Sequence, residues 1–187
     1  AWHPGLEMPE GSSWRDYQLP ENIELDNSGE TRGPPYEKAN LPDSAYFDGK
    51  IANRAKLKLQ QFAKKEEPFF LAVGFVKPHL PFNAPSKYWN LYDEAAVQPK
   101  AQISFPENAP EQARHNFGEL RHYAQIPDSG PVPDSIARKL IHGYHACVSY
   151  TDALIGQVLE ELERLELAEN TLVILWGDHG WSLQEHG

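Results

Sequence analysis

The residues best suited to chemistry fall in two short stretches, Lys77-Pro78-His79 and Gly177-Asp178-His179-Gly180. Proline fixes its own backbone angle, so the chain entering His79 is locally stiff. A histidine so placed can donate to an anion or hand a proton to a leaving oxygen. The competing reading is a structural histidine at the end of a strand. Lys77 stabilises negative charge in the first reading and is merely solvated in the second. Asp178 and His179 are adjacent between two glycines, whose backbone freedom lets neighbouring side chains converge. A carboxylate with an imidazole suits a divalent cation, although two ligands do not fill a coordination shell. The alternative is a polar turn with His179 bonded to backbone. His3, beside Pro4-Gly5, is a further candidate.

Other polar groups read as structural. Cys147, the single cysteine, borders the apolar stripe of a predicted helix and reads as a buried thiol. Tyr150, Thr151 and Asp152 lie on that helix, with Asp152 facing water. Glu160, Glu161, Glu163 and Glu166 form a solvated helix face.

Positioning these groups requires strands and helices. Phe69 to Val76 is an unbroken apolar run of strand length, ended by Pro78. Thr171 to Trp176 is a second such run. Neither alternates, which predicts strands covered on both faces, as in a sheet under helices. Open α/β sheets hold ligands beyond the carboxyl ends of their strands. If the two run parallel, both polar stretches meet at one sheet edge. A helix is predicted from about Ala45 to Lys65, its cap at Asp43 or Ser44. A longer one runs from Pro133-Asp134 to about Leu165, with Ile136, Leu140, Tyr144, Val148, Thr151, Ile155, Leu159 and Leu162 as its stripe. Gly143 and Gly156 are expected to bend it. Residues 1–45 and 83–133 read as irregular, apart from a short helix within Pro85 to Tyr92.

The 187 residues suffice for one domain. A formal net charge of -10 argues against nucleic acid as the main partner, since phosphate binding needs a basic face. No apolar run approaches the roughly 20 residues of a membrane helix, so no membrane span is expected. The chain opens on a His-Pro-Gly turn and stops just past a predicted strand. Residues 1–187 are therefore expected to be an internal segment of a larger domain.

The segment Pro68-Phe69-Phe70-Leu71-Ala72-Val73-Gly74-Phe75-Val76-Lys77-Pro78-His79-Leu80-Pro81-Phe82 resembles the sulfatase family. So do Tyr144 to Asp152, Leu172 to Trp181, and the ending Leu183-Gln184-Glu185-His186-Gly187. The resemblance implies an α/β chain, a segment of an alkaline-phosphatase-like α/β/α sandwich around a mixed sheet. It implies one calcium ion held partly by Asp178 and His179, with the remaining ligands outside this chain. It places His79 at the sulfate or the leaving oxygen and His3 in the same pocket, with Lys77 kept as a catalytic candidate beside His79. The nucleophile implied is a formylglycine made from a cysteine in Cys-x-Pro-x-Arg, a motif these residues lack. The expected substrate is a sulfated small molecule or glycan, and the expected partner is the remainder of the parent chain. A periplasmic, secreted or lysosomal setting is implied, and the isolated segment is expected to be inactive. Two other readings stay open: a phosphatase or phosphodiesterase of the same superfamily, and a non-catalytic module binding metal or anion.

Overall fold

The computed structural model describes residues 9, 13–29, 31–99, 107–113 and 117–183. Six elements matter here: α1 (Pro20–Asn27), β1 (Tyr36–Ala39), α2 (Phe47–Phe62), β2 (Phe82–Pro85), α3 (Ser86–Trp89) and α4 (Asp134–Arg164). β1 and β2 pair in parallel, Tyr36 opposite Phe82 and Ala39 opposite Pro85. Helices with a parallel pair make the chain α/β, as expected.

The core lies where α4 crosses α2 and β2. Along α4 the buried positions include Ala137, Leu140, Ile141, Ala146, Cys147, Tyr150, Leu154 and Leu162, one stripe of a 3.6-residue period. This face is rotated from the expected one, because Val148 and Leu159 are exposed. The small Ala146 and Cys147 let β2 approach α4 closely, and α2, with its buried Ala52 and Ala55, packs on α4 as well. Gly143 does not break the helix. A Cβ there would lie 2.8 Å from the Trp89 ring and 2.9 Å from the Phe82 Cβ, so glycine admits α3 and β2 against α4. Leu154, fully buried, contributes about 1.5–3 kcal/mol of burial. Polar ties add register: Gln60 donates to Glu161 at 2.7 Å, and the Tyr150 hydroxyl donates to the Asp43 carbonyl at 3.0 Å.

The predicted helices hold, trimmed to Phe47–Phe62 and Asp134–Arg164. Two further elements arise inside the stretch expected to be irregular. α1 is fastened by Glu37 of β1, whose carboxylate accepts the Gln18 and Leu19 N–H groups and the Asn22 side-chain amide. The two long apolar runs correct the expectation. Among the described residues neither 69–76 nor 171–176 joins a ladder. Phe70 is 77% exposed and Trp176 85%. An unalternating strand needs neighbours on both edges and cover on both faces, and no described strand lies beside either run. No helix among the described residues is long and apolar enough to cross a membrane.

Candidate active site

His79 sits on a tight loop between the first apolar run and β2. Its N–H donates to the Val76 carbonyl at 2.9 Å, and Lys77–Pro78 and Leu80–Pro81 are cis peptides. Three elements hold this loop. Asp48, in the first turn of α2, accepts the Val76 N–H at 2.9 Å and the Lys77 N–H at 2.8 Å. Thr151 of α4 donates to the Lys77 carbonyl at 3.2 Å. The Lys77 ammonium donates inward, to the Pro81 carbonyl at 2.6 Å and the His79 carbonyl at 3.3 Å. Burial pulls the Lys77 amine below its ordinary value and pushes the Asp48 carboxyl up, while the charge of each opposes the shift of the other.

The His79 ring is partly exposed. Its Nδ1 lies 2.8 Å from the Leu80 carbonyl oxygen, which can only accept, so Nδ1 carries a proton. Nε2 faces the Glu119 carboxylate at 3.5 Å. Glu119 also pairs with Arg32 at 3.2 Å, and the Arg32 guanidinium lies over the rings of Tyr123 and Trp14. Trp14 meets the His79 ring edge-on at 5.3 Å, and Trp181 does so at 6.0 Å. Beyond Arg32 opens a cleft of about 700 Å³ lined by Arg15, Arg121, His122 and Asp128, among others.

Trp181 joins the two polar stretches. It belongs to the turn carrying Asp178 and His179, and its ring also packs on Phe82 of β2 at 6.1 Å. The two apolar runs form no paired strands among the described residues, and the contact between the two stretches is this one of Trp181 with His79. The turn itself is open: the side chains of Asp178 and His179 are 82% and 67% exposed. Asp178 accepts the His179 N–H at 2.9 Å. The His179 Nδ1 donates to the Gly180 carbonyl at 3.2 Å, which leaves Nε2, 3.8 Å from the Asp178 carboxylate, as the ring's acceptor. Metal-binding histidines are commonly held this way, the second nitrogen tied to a carbonyl. The pair therefore fits two positions of a metal shell, although no group of three donors exists among the described residues.

Other candidates resolve differently. His3 lies outside the described residues, as do Gln184 to Gly187. The Cys147 thiol is fully buried against the Asn83 carbonyl, and burial pushes it up to about 12, so it is inert as a nucleophile. Asp152 is exposed, as expected. Sequence reasoning missed Trp14, Arg32, Asp48 and Glu119. The first two and Glu119 come from irregular segments with no periodic signal, and Asp48 reads as an ordinary first-turn carboxylate. Trp181 stood in the motif next to His179 but was given no role.

The sulfatase family model matches residues 15–187. The chain belongs to the sulfatase family. It is 30% identical over its whole length to iduronate 2-sulfatase of Mus musculus, and 29% identical to that of Homo sapiens. In each case it spans about 38% of the relative's length. A sulfatase of Formosa agariphila is 34% identical across 69% of the chain, which covers 25% of that protein.

Proposed function

We propose that this chain supplies one part of the site of a sulfuric ester hydrolase acting on a sulfated sugar or glycan. The observation that carries the reading is the family match over residues 15–187, supported by the Trp181 ring, two residues past His179, meeting the His79 ring at 6.0 Å. In this reading His79 faces the sulfate or the departing oxygen, where an imidazole can donate a hydrogen bond or a proton. Asp178 and His179 hold a divalent cation, calcium in this reading. Such a cation would offset the negative charge that collects on a transferring sulfuryl group. The nucleophile, a formylglycine, and the remaining metal ligands belong to parts of the protein beyond these residues.

The substrate class draws on two supports. The name of the iduronate relatives points, for those proteins, to a sulfated uronate. In this chain, the cleft beside the Arg32–Glu119 pair carries Arg15, Arg32 and Arg121 against Asp26 and Asp128, with Tyr123 as its aromatic face, and an excess of arginine suits an anionic sugar.

The test is sulfate release by the full-length protein from sulfated disaccharides and from an aryl sulfate, followed by ion chromatography. Sulfate release that drops about 10²–10⁴-fold in His79→Ala supports the reading. Release of phosphate from phosphate esters, with none of sulfate, would establish the phosphatase alternative instead.

A further inference from the structure

We propose that Lys77 and Asp48 are positioning residues that fix the ring of His79, and that Lys77 does not itself touch substrate. The proposal deepens the reading of His79 given above and rests on it for its effect on turnover.

The buried ammonium of Lys77 gathers the carbonyls of His79 and Pro81, at 3.3 and 2.6 Å. Those carbonyls flank Leu80. The Leu80 carbonyl is the one left for the His79 ring, and it receives the Nδ1–H at 2.8 Å. The orientation of the imidazole thus depends on a loop closed by the lysine two residues before it. The lysine is in turn held by its own backbone. Asp48 takes its N–H and that of Val76, and Thr151 donates to its carbonyl. Hydrogen bonds joined by short pieces of backbone run from α2 through Asp48 and Lys77 to the His79 ring. Their outcome is a protonated Nδ1 and an Nε2 facing the Glu119 carboxylate at 3.5 Å.

Stability alone gives a poor account of this arrangement. Lys77 is 5% exposed, and removing such a charge from water is costly. Apolar replacements of buried ion pairs are often neutral or stabilising. The ammonium points away from solvent, with its donors turned to main-chain oxygens. A group that meets a sulfate would have to leave both.

The experiment uses the full-length protein labelled with ¹⁵N-histidine, the His79 signals being assigned through His79→Gln. The wild type should show a slowly exchanging His79 Nδ1–H. Lys77→Met, which keeps the side-chain length, should lose that signal while retaining the melting temperature within a few degrees. Sulfate-ester turnover should fall about 10–100-fold, mostly in kcat. Asp48→Asn should weaken the same signal. A folded Lys77→Met protein that keeps the protected Nδ1–H overturns the proposal. Should Lys77→Met fail to fold, Asp48→Asn decides by the same signal. If neither folds, the pair determines the fold and the positioning role is wrong. A wild type with no turnover, or a His79→Gln protein with full turnover, counts against the reading of His79. The Nδ1–H signal judges the loop independently of either result.

Discussion

The loop of His79 and the turn of Asp178–His179 are the two polar ends of the proposed site, and they are built in opposite ways. The first is anchored by α2, α4 and its own lysine, through five hydrogen bonds into backbone or from it. In the second, the hydrogen bonds of Asp178 and His179 run to each other and to Gly180, and both side chains face solvent. The difference shows how far each half relies on its surroundings. The packing of the described residues determines where His79 points. The Asp178–His179 pair has its histidine nitrogen arranged locally, and the neighbouring Trp181 meets His79 in an aromatic contact.

Substitutions in the two halves should therefore differ in kind. The largest effect on folding is expected beneath the anchored half. Leu154→Ala, at a fully buried site on α4, should lower unfolding free energy by about 2–5 kcal/mol in urea titrations of the full-length protein. Asp178→Ala should leave stability within about 0.5 kcal/mol when the metal is absent, because its carboxylate is 82% exposed. It should nevertheless raise the divalent-metal concentration needed for half-maximal activity by at least about 10-fold. A large loss of metal-free stability in Asp178→Ala would erase the contrast between the halves.

A smaller effect sharpens the picture of the anchored side. Asp16 accepts the Phe47 N–H at the start of α2, and its carboxyl is pushed up to about 7 chiefly by burial, against the pull of that N–H and of Lys77 and Lys50. A raised carboxyl binds its proton more tightly in the folded state than in the unfolded one. Between about pH 4 and pH 7 the folded state then holds the extra proton, so its stability falls as pH rises through that window. Asp16→Asn should flatten this slope. Its backbone angle φ of 58° is one that asparagine tolerates. Melting temperatures measured across that range check the sign.

The parts legible in the sequence were those with a local cause. Asp134–Arg164 announces itself by an apolar stripe after a proline, and Phe47–Phe62 by a shorter one. Cys147 read correctly as buried because the stripe passes beside it. Which face of α4 turns inward was not legible, since Val148 and Leu159 are as apolar as Ile141 and Leu154. The choice falls to small residues, Gly143, Ala146 and Cys147, that allow close approach. β2 escaped notice because Phe82-Asn83-Ala84-Pro85 begins after one proline and ends on another. The long apolar runs suggested strands on sound grounds, yet strand pairing is a property of neighbours, and the described residues provide none. Among the candidates, His79, Asp178 and His179 stand out by residue type and by the family resemblance of the stretches that hold them. Glu119, Arg32 and Trp14 do not, because they lie 40 to 65 residues from His79 in sequence and carry no periodic mark.

The central claim is that the two halves form one sulfate-ester site. The most direct measurement is a crystal structure of the full-length protein with a divalent cation and sulfate bound. The account predicts the cation on an Asp178 oxygen and the His179 Nε2, with a sulfate oxygen within hydrogen-bond distance of the His79 ring. A cation bound elsewhere, or a sulfate remote from His79 while that ring stays paired with Glu119, would contradict it.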